Sequence, residues 1–228
     1  MGDLIRFSDH DLRVFTKDFD EGRGIGGVGA FGKVYRGRTK GDQYPNCPRK
    51  QEIDSLSHIS HQNVIRLIGY AEEEDYYGLV YERAKKDLDK YKPSNKIELD
   101  KLLVGTAQGL LAVHSAGFIH WDVQLRNVLL MKDGTVKVAD FGLCTKKDEK
   151  MVFFQDRRVG NFYHLDTEDA KEKYDVFCFG SLMRELVLME KKVWTPTRCP
   201  RLLLADSCWA KDPKQRPSME KVVAQLKV

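Results

Sequence analysis

The sequence predicts an α+β fold, with strands gathered in the first part of the chain and helices in most of the rest. Three observations carry this. A glycine-rich run from Gly27 to Gly37 passes into the alternating stretch Lys33 to Arg38, which reads as a strand. Val64 to Tyr70 and Tyr77 to Glu82 read as two further strands around the acidic turn Glu72 to Asp75. Beyond them, Leu99 to Ser115 and Asp175 to Met189 carry apolar residues at helical spacing.

The 228 residues suffice for one domain or two small lobes. A hydrophobic share of 42% supplies a core and excludes a disordered chain. The net charge of +4 is spread among interspersed charges of both signs, without the basic stripe that nucleic-acid binding needs. The five cysteines, Cys47, Cys144, Cys178, Cys199 and Cys208, are scattered with no C-x-x-C pair. That excludes zinc and disulfide frameworks and points to reduced thiols and a cytoplasmic protein. No run reaches membrane-spanning length, no signal peptide opens the chain, and Arg6 stands where a myristoylation motif wants Ser or Thr.

In chain order, residues 1–20 set Phe7, Leu12, Phe15 and Phe19 among charges, an amphipathic lead-in. The run Gly27-Val28-Gly29-Ala30-Phe31-Gly32-Lys33-Val34 follows; glycines there let backbone N–H groups approach phosphates, because no Cβ intrudes. A dinucleotide-binding fold also uses G-x-G-x-x-G, and Glu52 lies at a suitable distance beyond Gly32. That reading needs a helix after the glycines, and the residues there read as a strand. Arg49 to Ser60 reads as a helix with Ile53, Leu56 and Ile59 inward, Leu56 one turn beyond Glu52. Leu99 to Ser115 ends at Gly117 and delivers the chain to His120. Asp175 to Met189 is apolar nearly all round and reads as a buried helix. Ser218 caps a last helix with Met219, Val222, Val223 and Leu226 on one face.

The densest chemistry lies between Phe118 and Gly142. Val128 to Met131 and Val136 to Ala139 form a hairpin around Lys132-Asp133-Gly134. Asp122 and Asn127 precede it and Asp140 follows, so three oxygen-bearing side chains converge at one edge. Such a set suits Mg2+, a hard cation that takes few protein ligands and leaves room for phosphates.

His120-Trp121-Asp122, then Asn127, then Asp140-Phe141-Gly142 resembles the catalytic and metal-binding loops of protein kinases, which read His-Arg-Asp, four residues, Asn, then Asp-Phe-Gly. The resemblance covers roughly Gly24 to Leu226. It implies a bilobal kinase-like fold with lead-in 1–20, N-lobe 21–82, and hinge and C-lobe 83–228. It also implies ATP and Mg2+ as cofactors and a protein substrate or signalling partner. By the same resemblance Asp122, Arg126 and Asn127 are catalytic, and Asn127 and Asp140 hold the metal. Gly27, Gly29, Gly32, Val34, Glu52, Glu82, Ala84 and Leu129 form the nucleotide site, with Tyr81 as gatekeeper. Arg126, four residues after Asp122, resembles tyrosine kinases; Tyr81 and the run Leu79 to Glu82 resemble the tyrosine-kinase-like group.

The departures are as specific. The family's third strand carries a Lys that holds the nucleotide phosphates and pairs with the helix Glu. Thr39 to Pro48 offers two prolines and no apolar run, which argues against a central strand, and Lys33, Lys40 and Lys50 read as surface charges. Trp121 replaces the Arg that receives an activation-loop phosphate. Asp166-Thr167-Glu168 keeps only the Glu of Ala-Pro-Glu, and the chain is short between Glu168 and Asp175 and between Met189 and Cys199. These read as missing blocks, as in a splice form or an incomplete gene model. Losing one charged clamp costs about 3–4 kcal/mol of transition-state stabilisation, on the order of a hundred- to thousand-fold in rate. Two readings stay open: an impaired kinase, and a pseudokinase that serves as a binding module.

Overall fold

The structure, a computed structural model, describes residues 4–20, 24–29, 32–35, 38–40, 49–73, 77–89, 91–149, 171–189 and 199–227. The remnant Asp166-Thr167-Glu168 and the shortened stretch before Cys199 lie outside the described residues.

The N-terminal lead-in is part of the fold. Strand β1 (Ile5–Arg6) adds parallel to β5 (Leu67–Glu72), which pairs antiparallel with β6 (Tyr77–Tyr81). Glycine is required where β1 docks: a Cβ at Gly69 would stand 2.1 Å from the Ile5 carbonyl oxygen. Helix α1 (Asp9–Thr16) follows, and Ser8 caps it by accepting from the Asp11 amide while Asp11 accepts from the Ser8 backbone. Its inward face places Leu12, with Phe19 beyond the helix, against Ala71 and Val80.

Strands β2 (Gly24–Gly29), β3 (Gly32–Tyr35) and β4 (Arg38–Lys40) form an antiparallel sheet in that order. The glycine motif is therefore a strand–turn–strand unit, and the dinucleotide alternative, which needs a helix there, is excluded. The third strand corrects the sequence reading, which left none at this position. The strand is three residues long and, among the described residues, lies at the edge of this sheet, placing Thr39 opposite Val34 and Lys40 opposite Lys33. The prolines that argued against a strand, Pro45 and Pro48, come after its end in the sequence and lie outside the described residues.

Helix α2 (Arg49–His58) buries Glu52, Ser55 and Leu56. The strand expected from Val64 begins only at Leu67, because the preceding residues bond elsewhere. The Ile65 amide donates to the Val138 carbonyl at 2.9 Å, and the Val138 amide to the Asn63 carbonyl at 2.8 Å. This stitches the first lobe to the hairpin of β9 (Val128–Leu130) and β10 (Val136–Val138). The short strand β7 (Lys86–Asp87) pairs with β9, on the far side of β9 from β10.

The larger core is helical. Helix α3 (Lys96–Ser115) starts one turn before the predicted boundary, at Asn95, whose side chain accepts from the Glu98 amide at 2.9 Å. Helix α4 (Lys171–Met189) also starts a turn early, so Asp175 lies inside it rather than at its start. Strand β8 (Phe118–Ile119) pairs with β11 (Thr145–Lys146), and α5 (Pro200–Cys208) and α6 (Met219–Leu226) close the C-terminal side. The four cysteines within described segments are free, and burial pushes the thiols of Cys144 and Cys178 up to about 12 and that of Cys208 to about 11. Such thiols stay protonated and pack as small apolar groups. Among the described residues no helix is long and apolar enough to cross a membrane.

Where α3 crosses the lobe junction the backbones nearly touch. A Cβ at Gly109 would lie 2.4 Å from the Asn63 carbonyl oxygen and 2.8 Å from Val138 Cγ2. Gly109→Ala gains about 1 kcal/mol of helix propensity and forces an overpacking cost of about 1–3 kcal/mol. Urea unfolding is expected to show a net loss of up to about 2 kcal/mol at constant m-value. A higher midpoint would mean that the contact is slack.

Candidate functional site

A single buried carboxylate sets the loop that carries Asp122. Asp175, fully buried in α4, accepts the His120 amide on Oδ2 at 2.8 Å and the Trp121 amide on Oδ1 at 2.9 Å. His114 Nε2 stands 2.9 Å from the same Oδ2. These bonds hold Trp121 at φ +68°, a left-handed conformation that costs a bulky residue on the order of 1 kcal/mol or more and persists only where neighbours impose it. The turn aims Asp122 back toward the hairpin.

His120 locks the next layer. Its Nδ1 accepts the Asp122 amide at 3.2 Å, which puts the ring proton on Nε2, and Nε2 donates to the Ala139 carbonyl at 3.0 Å. Its ring meets Phe141 edge-on at 4.9 Å. A short 3-10 turn over Leu125–Asn127 then brings Asn127 beneath Asp122. Asn127 Nδ2 donates to the Asp122 carbonyl at 2.9 Å and to its Oδ2 at 2.7 Å. Gln124 Nε2 donates to the other carboxylate oxygen, Oδ1. Gln124 is thus a second neutral donor that fixes the carboxylate.

Asp140 arrives from the hairpin's other strand. The Ala139 amide donates to the Asn127 carbonyl at 2.9 Å, tying the two strand ends together, and Asp140 takes φ +64°. Burial, with the nearby Asp122 charge, pushes its carboxyl above the ordinary value, while His120, the Gly142 amide and Arg126 oppose the shift. The three predicted oxygen donors are thus brought to one edge. Since Asn127 donates through its nitrogen, its carbonyl oxygen is the atom that can face a cation. An Asp and an Asn oxygen with room for phosphates fit Mg2+; among the described residues no group of three or more His, Cys, Asp or Glu forms a denser metal site.

The remaining predicted residues fall around this edge. Arg126 is exposed beside it. Leu129 is half-buried on β9, and Tyr81, Glu82 and Ala84 lie half-buried where β6 ends. Glu82 is more constrained than its sequence suggested. Its carboxylate takes Lys137 Nζ at 2.8 Å and the Arg66 amide at 2.8 Å, and its own amide donates to the Arg66 carbonyl at 3.1 Å. The carboxylate is thus turned onto β10, leaving the backbone carbonyl for a ligand. Gly27, Gly29, Gly32 and Val34 lie on the β2–β3 unit. Glu52 is buried, and its Oε1 accepts the Phe141 amide at 3.2 Å.

Trp121 does more than remove a charge. It is buried, its Nε1–H donates to Thr145 Oγ1 at 2.8 Å, and its ring packs at 5.6 Å against Tyr174. Arg216 donates to the carbonyls of Ala210 and Lys173, both at 2.9 Å, and lies 5.0 Å over the Phe177 ring. What sequence reading missed is the partnership of His114, Trp121 and Thr145 with Asp175 and β11. The single signal was an acidic residue in an otherwise apolar helix.

A family model described as "Protein kinase domain" matches residues 19–199. The chain is similar to the receptor-like protein kinases of Arabidopsis thaliana. It is 32% identical to HERK 1, over 92% of this chain and 28% of that protein. Against FERONIA it is 33% identical over 84% of this chain and 24% of that protein, and against ANXUR2 30% over 96% and 28%. The chain therefore spans roughly a quarter of the length of these relatives.

The raised carboxyl of Asp140 has a defined consequence. Its stabilising contribution is complete below the ordinary value of 3.8 and disappears as pH rises through the folded-state value, so ionised Asp140 is a cost at neutral pH. Metal-free Asp140→Asn is expected to melt above the wild type at neutral pH, with the gap narrowing in acid. A variant that melts lower at neutral pH would show that the carboxylate is stabilised where it stands.

Proposed function

The chain belongs to the protein kinase family, and on that premise we propose that it transfers the γ-phosphoryl group of ATP to a protein hydroxyl, at a reduced rate. One observation carries this: Asn127 and Gln124 hold the Asp122 carboxylate at the edge that Asp140 shares. Phosphoryl transfer asks a protein for positioning and charge stabilisation rather than covalent chemistry. Bound Mg2+–ATP supplies the transferred group and the cationic charge around it. Asp122 orients the incoming hydroxyl and accepts its proton. Asn127 and Asp140 offer oxygen ligands to the metal. Gly27, Gly29, Gly32 and Val34 cover the phosphates and base, Leu129 lies against the base, and Glu82 and Ala84 offer it backbone groups. Exposed Arg126 favours a tyrosine hydroxyl.

The reduced rate follows from a lost charge: Thr39 to Pro48 reads as lacking the Lys that clamps the nucleotide phosphates in the family. Trp121, an indole where the family places an Arg, removes phosphate sensing. Since Trp121 already bonds Thr145, β11 is held beside the loop without a phosphate. The receptor-like relatives suggest a signalling role for the domain, on the cytoplasmic side, acting on protein partners. The second reading, a pseudokinase that scaffolds partners, is favoured by the same Trp121.

Transfer of label from γ-labelled ATP with Mg2+ to tyrosine and serine/threonine peptides tests the reading. Slow transfer is expected, falling by about a hundred-fold or more in Asp122→Asn. A folded sample with no label in either form would leave the scaffold reading. Phosphorylation at Tyr163 or Thr167, which lie outside the described residues, is expected to leave the rate unchanged. A rate that rises on phosphorylation would show that another cation replaces the lost Arg.

A further inference from the structure

The lysines on the β11 side of the site are engaged. Lys146 pairs with Asp54 at 3.1 Å and Lys147 with Glu172 at 3.0 Å. Lys171 Nζ donates to the carbonyls of Lys147 and Glu149 at 2.9 and 3.0 Å. The hinge side differs. Arg83, Lys85, Lys86 and Lys92 are exposed there, as is Arg126 on the catalytic loop. Among the described residues none of these cations lies within ion-pair distance of a carboxylate. Nearby acids are committed elsewhere: Glu98 accepts the Tyr91 hydroxyl and the Ser94 amide, and Asp87 accepts the Asp89 amide at 2.9 Å. Lys86 Nζ stands 4.0 Å over the Tyr91 ring.

The backbone fixes these charges against the site. The Lys85 amide donates to the Leu130 carbonyl at 2.9 Å, and β7 sets Lys86 opposite Leu130 on β9. Fully buried Leu88 closes the run, its amide shared between the Leu125 carbonyl at 3.2 Å and the Val128 carbonyl at 2.9 Å. Leu125 is the chain neighbour of Arg126. The hinge cations and Arg126 therefore border one side of the edge that carries Asp122. We propose that this border selects acidic protein segments: Lys85, Lys86 and Lys92, with Arg83 and Arg126, determine specificity by attracting Asp or Glu that flanks the acceptor hydroxyl on one side. The substrate class rests on the kinase reading; the attraction itself does not. Each exposed pair adds a modest increment, and several aimed at one segment add up. The run is short and interrupted by Asp87 and Asp89, which fits a few carboxylates and not a long polyanion.

Fluorescence anisotropy tests this, with the full chain, Mg2+–ADP and labelled peptides that carry Phe in place of the acceptor Tyr. A run of glutamates is placed before the Phe, placed after it, or replaced by alanines or by lysines. One of the two acidic peptides is expected to bind about tenfold more tightly than the alanine peptide at low salt, with the gap closing as salt rises. Lys85→Gln, Lys86→Gln and Lys92→Gln together are expected to abolish the gap. Lys85→Glu, Lys86→Glu and Lys92→Glu together are expected to move the preference to the lysine peptide. Lys211→Gln, Lys214→Gln and Lys227→Gln, at exposed positions of the C-terminal side, change the net charge equally and are expected to leave the gap in place. A gap that survives the hinge variant overturns the proposal. So does an equal loss in the control variant, or two acidic peptides that bind alike, either of which reports net charge alone. Phosphatidylserine vesicles that bind through the same lysines while the acidic peptides do not would assign the run to a membrane surface, and likewise overturn it. With Tyr peptides and γ-labelled ATP, kcat/KM is expected to follow the same order. Transfer indifferent to acidity overturns the proposal and leaves the kinase reading standing. Selective binding with no transfer would instead contradict the kinase reading and leave the acidic-segment surface standing.

Discussion

The site depends on the burial of one carboxylate. Asp175 sits in the interior of α4 with no solvent exposure, and an unpartnered charge there would be several kcal/mol uphill. The fold answers with two backbone amides and an imidazole. Those donors belong to His120, Trp121 and His114, so satisfying Asp175 also sets the trajectory of the catalytic loop. From there the order propagates by short steps. His120 fixes Ala139, Ala139 is tied to Asn127, and Asn127 holds Asp122. Each step is an ordinary hydrogen bond of modest net strength, but the chain of them converts one buried charge into the geometry of a whole edge.

Trp121 shows how a substitution can be local in chemistry and neutral in architecture. Its backbone amide serves Asp175 as any residue's would, so the loop keeps its path. Its side chain replaces a cation with a neutral donor and a large apolar ring, satisfied by Thr145 and Tyr174. The family's Arg senses a phosphate, a task that requires charge, and an indole carries none. Retained is the anchoring of β11 beside the loop.

Much of this was legible in the residues. The periodicity of Leu99, Leu102, Leu103 and Leu110 located α3, and the turn Lys132-Asp133-Gly134 located the hairpin, because both signals are local. The convergence of Asp122, Asn127 and Asp140 could be read because strand ends and turn lengths dictate it. Strand β4 was not legible. Its three residues pair with β3 without an apolar run to mark them, and the prolines beyond it in the sequence gave the opposite signal. Also illegible were the long-range bonds of Asp175, Glu52 and Trp121. Their partners lie 55, 89 and 24 residues away for His120, Phe141 and Thr145, and no spacing rule connects such positions.

On the proposed kinase function, Asn127 and Asp140 form one cation-binding edge under a loop anchored by Asp175. Paramagnetic broadening by Mn2+–ADP, read on the backbone amides, tests it most directly. Broadening centred on Asn127, Asp140 and Phe141, and reversed by excess Mg2+, is the expected result. Amides of that edge that stay sharp while another acidic surface broadens, or no broadening at saturating nucleotide, would contradict it.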